Sequence, residues 1–152
     1  MPNKYIFLEG VIFVALAQNP YAQYKQQAIT TASPEKLLIM LFDGAIRFSG
    51  QARKALKEKN IEKSNYFLVR CQDIVFELMG SLNMDYEISQ SLFQMYEYIN
   101  YNFQQANIHK DLKYVDEAEQ YLKEFREIWV QAAKLANNPP NNSGGDGKGE
   151  QD

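Results

Sequence analysis

The residue types that most often perform catalysis are scarce in this chain. It contains one histidine, His109, and one cysteine, Cys71. A Ser-His-Asp or Cys-His arrangement would have to use His109, which lies beside Lys110 in a segment predicted to be a loop, so a solvated turn residue is the favoured interpretation. Cys71 stands among apolar residues and has no second cysteine to pair with, which favours a small buried hydrophobic residue over a nucleophile.

The spacing of possible metal ligands and phosphate-binding glycines also indicates no site. A di-metal carboxylate centre in a helical bundle needs Glu-x-x-His on two helices, whereas the residue three positions before His109 is Ala106. No Gly-x-Gly-x-x-Gly or Walker-type sequence is present. The sequence therefore predicts a protein that is not an enzyme and that has no cofactor and no metal.

Composition favours one helical domain with a polar tail. The 152 residues are 45% hydrophobic and include only 8 glycines and 5 prolines, so long helices with one core are expected. The net charge of -3 argues against a surface for nucleic-acid phosphates. We predict three segments: an apolar extension over residues 1–18, a helical domain over 19–136, and a disordered polar tail over 137–152, which has no large apolar residue to bury.

Apolar residues recur at spacings of three and four through the middle of the chain, which predicts four amphipathic helices. Their predicted bounds are Ser33 (N-cap, with Pro34 as the first helical residue) to about Asn60, Ile61 to Asn83, about Glu87 to Ala106, and Asp111 (N-cap) to Ala136. Ile61 and Ile88 belong to the predicted inward faces. Short connections between helices of this length predict an all-α, antiparallel up-and-down four-helix bundle, with a short N-terminal helix or arm over Tyr21–Ile29.

Three interpretations of residues 1–18 stay open. The apolar run Val11–Leu16 is similar to the core of a secretory signal that would be cleaved before Gln18, but Glu9 interrupts it and the run is short. It is also shorter than the roughly 20 apolar residues of a membrane-spanning helix. The segment is thus a start site placed too early, an apolar plug that folds back on the domain, or a genuine signal. A genuine signal would make the protein a secreted helical structural or adhesion module.

The chain is rich in aromatic residues, with ten tyrosines and nine phenylalanines. Nine of them lie off or at the edge of the predicted inward faces: Phe42, Tyr66, Phe76, Tyr86, Phe93, Tyr98, Tyr101, Tyr114 and Tyr121. A wide apolar face buries flanking positions. Aromatic side chains that stay exposed would instead form surface grooves, which are typical of sites for a partner helix or segment. Both alternatives stay open from the pattern alone.

Several short motifs occur in an order that resembles the bacterial FliS family of flagellar secretion chaperones. They are Asn19-Pro20-Tyr21, Thr31-Ala32-Ser33-Pro34, Leu37 with Met40 to Phe48, Leu82 to Asp85, Met95 to Tyr98, Ala106-Asn107, and Phe125 to Trp129. Together they span about Asn19 to Leu135. Family members begin near the Asn-Pro-Tyr motif, so the extension over residues 1–18 departs from the family pattern.

The resemblance implies a cytoplasmic bundle that binds the disordered C-terminal segment of newly made flagellin. Such a chaperone prevents premature polymerisation and helps deliver flagellin to a component of the flagellar type III export gate. The net charge and the short apolar run, taken separately, predict no nucleic-acid partner and no stable membrane insertion. Carried over to this sequence, the partner-binding residues are Tyr21, Tyr24 and Ile29 of the arm, and Leu37, Leu38, Leu41, Phe42 and Ile46 of the first long helix.

Overall fold

Four helices joined by short turns make up the described part of the protein. The computed structural model describes residues 34–137, and the helices in this range are α1 (Pro34–Lys57), α2 (Ile61–Gly80), α3 (Glu87–His109) and α4 (Leu112–Asn137). Each helix contacts the next one along the chain, and α4 contacts α1. The helices therefore close into a ring, which confirms the all-α bundle.

Pairs of side chains between neighbouring helices show that the helices run antiparallel. Asn107 of α3 donates a hydrogen bond to Asn65 of α2, and Gln72 of α2 donates one to Asn100 of α3. Later residues of α2 therefore contact earlier residues of α3. The arrangement is the up-and-down one that short connections favour.

Local capping explains where α2 and α4 begin. The Asn60 side chain accepts a hydrogen bond from the backbone N–H of Lys63 at 3.0 Å, and the Asp111 carboxylate accepts one from that of Lys113 at 3.0 Å. Each cap satisfies an amide that has no partner within the first turn of its helix. The starts at Ile61 and immediately after Asp111 agree with the sequence prediction.

The predicted helix ends differ from the observed ends by about three residues. α1 ends at Lys57 and α2 at Gly80, whereas the sequence predicted Asn60 and Asn83. α3 continues to His109, so the break predicted at Asn107 is wrong. The chain leaves α1 and α3 through left-handed residues, Lys59 with φ 55° and Lys110 with φ 51°, which the apolar pattern does not reveal.

The core contains side chains from all four helices. Its largest fully buried members include Tyr96, Phe42, Phe103, Leu38, Leu68 and Leu122. Phe42 lies off the predicted inward face of α1, yet it is fully buried with its ring 6.4 Å from that of Tyr96. Conversely, Ile61 and Ile88 were predicted to face inward but are 69% and 65% exposed. Both belong to first helical turns, where neighbouring helices cover less of the surface.

Cys71 confirms its predicted role as a small buried hydrophobic residue. Its side chain is fully buried, and the sulfur lies 3.7 Å from the carbonyl oxygen of Ala45. Burial raises the pKa of the thiol well above its ordinary value because the charged thiolate would be desolvated. The folded protein therefore holds this residue in its unreactive form.

Some sequence predictions fall outside the described residues. These are the arm residues Tyr21, Tyr24 and Ile29, the N-cap Ser33, the extension over 1–18 and the tail beyond 137. Within residues 34–137, no helix has the length and apolarity needed to cross a membrane. The same range contains no cluster of three or more His, Cys, Asp or Glu side chains suited to a metal ion.

Candidate partner-binding surface

The five partner-binding residues predicted on α1 occupy two kinds of position. Leu37, Leu38 and Phe42 are buried in the core, whereas Leu41 and Ile46 are half-buried and pack against it. A five-residue separation turns about 140° around a helix, so Leu41 and Ile46 lie on different flanks of α1. The structure therefore brings the five residues to one helix but does not place them in a single groove.

Leu41 lies on the flank of α1 that faces α2. Phe48, two turns further along α1, stacks on Phe67 of α2 with ring centres 6.2 Å apart. Tyr66 packs edge-on against Phe67 at 5.2 Å, and it is exposed. The guanidinium of Arg70 lies 5.4 Å from the Tyr66 ring centre. Arg70 also pairs with Asp73 at 2.8 Å. This seam therefore offers exposed aromatic surface beside an ion pair, which suits apolar side chains in an amphipathic segment.

Ile46 lies on the flank of α1 that faces α4, where ion pairs link the two helices. Arg53, two turns further along α1, donates hydrogen bonds to Asp116 at 2.7 and 2.9 Å and also contacts Glu119. Lys123 contacts Glu119 at 2.7 Å. Near the opposite end of the seam, Arg126 donates to Asp43. These pairs fix the relative position of α1 and α4 and give this flank a polar rim.

Glu119 is a buried carboxylate stabilised by two cations. Burial alone would raise the pKa of Glu119, but hydrogen bonds from Lys123 and Arg53 outweigh it and hold the pKa below its ordinary value. Burial likewise opposes the charge of Arg53, yet the carboxylates of Glu119 and Asp116 raise its pKa. The four charged groups thus stabilise one another, which is a structural role and not an acid-base pair tuned for catalysis.

Tyrosines also line the seam between α3 and α4. Tyr98 packs edge-on against Tyr121 with ring centres 5.4 Å apart, and its hydroxyl donates to Glu117 at 2.9 Å. This hydrogen bond raises the pKa of Tyr98 because it stabilises the protonated form. His109 is exposed, stacks on Tyr114 at 5.9 Å and contacts the side-chain amide of Gln105. It has the environment of a solvated residue, although it closes a helix instead of lying in a loop.

The sequence pattern did not decide whether nine aromatic residues are buried or exposed, and the structure contains both kinds. Phe42 is buried, and Tyr86, Phe93, Tyr114 and Tyr121 are half-buried. The exposed members are Tyr66, Phe76, Tyr98 and Tyr101. The sequence pattern did not single out Ile128 and Leu135 of α4, which are exposed aliphatic residues. Their seven-residue separation from each other, and that of Ile128 from Tyr121, could have indicated a shared face.

Comparisons with known proteins point to one family. The family model described as flagellar protein FliS matches residues 17–136. The chain is 37% identical over 128 residues to the flagellar secretion chaperone FliS of Bacillus subtilis, an alignment that covers 84% of this chain and 96% of that protein. It is 30% identical over 129 residues to the protein of the same name from Salmonella typhimurium, covering 82% and 96%. A third relative of that name, from Vibrio cholerae, is 30% identical over 105 residues, covering 68% and 77%. Because the family match extends over all four helices, the chain belongs to the FliS family of flagellar proteins.

Proposed function

We propose that this protein is a cytoplasmic export chaperone for flagellin. It binds the disordered C-terminal segment of newly made flagellin in apolar grooves on the bundle surface. Binding prevents premature polymerisation, and the complex is then delivered to a component of the flagellar type III export gate. The observation that carries the proposal is the FliS family match over residues 17–136, supported by relatives named flagellar secretion chaperones.

The surface of the bundle is compatible with this activity. Tyr66, Phe76 and Tyr101 expose aromatic rings, and such rings supply contact area at low conformational cost. A disordered segment loses conformational entropy when it binds, so it needs extensive apolar contact to offset that loss. The exposed rings of α2 and α3 provide such contact on that part of the bundle surface.

We propose distinct roles for the residues of the arm and of α1. Tyr21, Tyr24 and Ile29 belong to an arm that contributes contacts to flagellin. Leu41 and Ile46, which are half-buried, contact the segment directly on the two flanks of α1. Leu37, Leu38 and Phe42 are buried and support the groove wall from beneath.

Isothermal titration with flagellin tests the proposal. We expect a one-to-one complex with full-length flagellin, and binding at least about tenfold weaker for flagellin without its C-terminal segment, a loss of about 1.4 kcal/mol. Equal affinities for the two forms would contradict the proposal. Circular dichroism of the free chaperone checks that it is folded under the titration conditions.

Substitutions in the arm test its contribution separately. We expect Tyr21→Ala combined with Tyr24→Ala to lower the affinity for flagellin while leaving the helix content unchanged. Loss of helix content would instead assign these tyrosines to the folded core. Unchanged affinity with unchanged helix content would remove the arm from the binding site.

The family match does not favour the secreted structural or adhesion module. Mass spectrometry of the natural N-terminus gives an independent check. A mature chain that begins at Gln18 and lies outside the cell membrane would contradict a cytoplasmic chaperone.

A further inference from the structure

The turn between α1 and α2 lies at the same end of the bundle as the turn between α3 and α4. Asn65, near the start of α2, accepts a hydrogen bond from Asn107, near the end of α3. All four helices therefore have a terminus here, and because neighbouring helix axes lie about 8–10 Å apart, this end is roughly 20 Å across. We call residues 54–64 and 106–115 the lysine end.

Lysines outnumber carboxylates at the lysine end. The lysines are Lys54, Lys57, Lys59, Lys63, Lys110 and Lys113, and the carboxylates are Glu58, Glu62 and Asp111. With His109 neutral, six lysines against three carboxylates give a formal charge of +3. The other residues of the range 34–137 include seven lysines and arginines against twelve carboxylates, a formal charge of -5. The bundle thus has one positive end on an otherwise negative surface.

Most of these lysines have no carboxylate beside them. Lys113 lies 3.8 Å from Asp111, and the half-buried Lys110 donates a hydrogen bond to the side chain of Asn107. The other four are exposed and form no ion pair within residues 34–137: Lys54, Lys57, Lys59 and Lys63. Their charges therefore face solvent on both sides of the turn between α1 and α2.

The carboxylates further along α4 do not reverse this charge. Asp116 and Glu119 already pair with cations of α1 and α4. Glu117 accepts a hydrogen bond from a tyrosine hydroxyl and lies four residues, or about 6 Å of helix, further from the end than Lys113. Because salt screens charges over about 8 Å at physiological ionic strength, Glu117 weakens the positive potential at the turns without cancelling it.

Two isoleucines are exposed at the same end. Ile61, the first residue of α2, is 69% exposed, and Ile108, in the last turn of α3, is 63% exposed. An aliphatic side chain gains nothing from a phosphate or a carboxylate, but it is stabilised at the boundary between lipid headgroups and acyl chains. Lysines beside exposed aliphatic residues are therefore typical of a surface that lies on an anionic membrane.

We propose that the lysine end binds reversibly to the surface of a membrane that contains anionic lipids. The lysines would lie at the level of the lipid phosphates, and Ile61 and Ile108 would enter the headgroup layer. A planar surface meets the lysines of both turns at once, whereas a single peptide segment would cover only part of an end this wide. The inference does not depend on flagellin binding, because the residues proposed for flagellin lie on α1 before the lysine end and in the arm.

Co-sedimentation of the full chain with lipid vesicles tests the lipid charge. One kind of vesicle contains only phosphatidylcholine, which is zwitterionic, and the other contains about 40% anionic phosphatidylglycerol in phosphatidylcholine. We expect binding at least about tenfold tighter to the anionic vesicles, with an affinity that falls as salt is added. Equal binding to the two kinds of vesicle would overturn the inference.

Matched double variants test the lysines. Each lysine near an anionic bilayer strengthens binding roughly fivefold, so Lys57→Gln with Lys63→Gln should weaken binding to anionic vesicles about tenfold or more. Lys36→Gln with Lys134→Gln is the control, since it removes the same charge from exposed positions near the opposite end of the bundle. Circular dichroism checks that both variants are folded. If the two variants weaken binding equally, the membrane does not contact the lysine end and the inference is overturned.

A second matched pair distinguishes a membrane from an acidic protein. Ile108→Ser should weaken binding to anionic vesicles about threefold because it removes aliphatic contact with the lipid. Ile128→Ser serves as its control, since Ile128 is 60% exposed but lies outside the lysine end. If Ile108→Ser has no more effect than Ile128→Ser, or if soluble polyglutamate binds as tightly as the anionic vesicles, the lysine end fits an acidic partner instead and the inference is overturned.

Parallel titrations with flagellin separate this inference from the proposed function. If the anionic vesicles fail to bind while flagellin binds, only the inference about the lysine end is overturned. If the vesicles bind as expected and flagellin does not, only the proposed function is overturned.

Discussion

At the residue scale, Lys59 occupies a backbone conformation that glycine adopts at less cost. It follows α1 with φ 55°, in the left-handed region where a Cβ atom crowds the backbone. We predict that Lys59→Gly raises the free energy of unfolding by about 0.5–1 kcal/mol, since relief of this strain exceeds the entropy that glycine adds to the unfolded chain. Urea denaturation measures the change.

A helical lysine provides the control for this prediction. Lys54 is also exposed but lies within α1, so Lys54→Gly should lower the free energy of unfolding by about 1 kcal/mol. If both substitutions destabilise the protein equally, the left-handed conformation of Lys59 carries no strain.

A second residue-scale prediction concerns the pH dependence of stability through Glu119. Its folded-state pKa is lowered, so the unfolded chain binds a proton more readily and the contribution of Glu119 to stability is lost as the pH falls below about 4.3. We expect Glu119→Gln to lower the free energy of unfolding most at pH 7. The difference from wild type should shrink toward pH 3.

Urea denaturation at several pH values tests this behaviour. Arg53→Met should reproduce part of the loss at pH 7 because it leaves Glu119 with one fewer cation, at a cost of about 1–3 kcal/mol. If the free energies of unfolding of wild type and Glu119→Gln differ by the same amount at every pH, the lowered pKa of Glu119 is contradicted.

At the element scale, α1 contains two glycines whose surroundings differ. A Cβ atom added at Gly50 would meet no atom within 4 Å, whereas one at Gly44 would lie 3.4 Å from the Cδ1 atom of Ile74. We predict that Gly50→Ala raises the free energy of unfolding by about 0.5–1 kcal/mol, because alanine favours the helix. Gly44→Ala should give a smaller gain, since the added methyl group lies at the close limit of van der Waals contact with the Ile74 side chain.

Thermal unfolding followed by circular dichroism compares the two variants. Because of the contact between position 44 and Ile74, Gly50→Ala should raise the melting temperature more than Gly44→Ala does. A lower melting temperature for Gly50→Ala would show that this position has a constraint other than space.

Helix starts could be predicted from sequence because the determinants are local. Asn60 and Asp111 each bind an amide two or three residues ahead, so the cap and its helix are neighbours in the chain. Helix ends were less predictable, since Lys59 and Lys110 adopt left-handed conformations without the glycine that usually signals them. The exposure of Ile61 and Ile88 depends on how far neighbouring helices extend. The spacing of apolar residues within one helix gives no information about that.

At the scale of the whole molecule, burial of Cys71 makes thiol chemistry a measure of unfolding. The side chain is fully buried and its pKa is raised by that burial. We predict that native protein reacts slowly with a soluble disulfide reagent. The rate should rise in urea with the population of opened molecules, because the sulfur must reach solvent and ionise.

Flagellin and a relocated cysteine provide the comparisons for this measurement. On the proposed function, flagellin should slow labelling further, since a ligand that binds only the folded state lowers the unfolded population. In a Cys71→Ser background, Ser91→Cys places a thiol at an exposed position and should react without delay. Rapid labelling of native Cys71 that is independent of urea would contradict the prediction.

The candidate surface was only partly predictable from the sequence. The excess of aromatic residues could be counted, but Phe42 and Tyr66 are both off the predicted inward faces and differ completely in burial. Phe42 meets Tyr96 of α3 in the core, whereas Tyr66 lies on the outside of α2. The difference in burial between Phe42 and Tyr66 depends on how whole helices pack together, which the apolar pattern of a single helix does not specify.

The contact between α1 and α4 ties the first described helix to the last. A ribosome releases the chain from its N-terminus at about 5–20 residues per second, so the roughly 80 residues from the end of α1 to the end of α4 take about 4 to 16 s to emerge. During that interval Phe42 has no α4 beside its helix, and the ring of helices is incomplete. Helical bundles fold within roughly microseconds to milliseconds, so the pace of translation sets the earliest moment at which a newborn molecule can close its ring of helices.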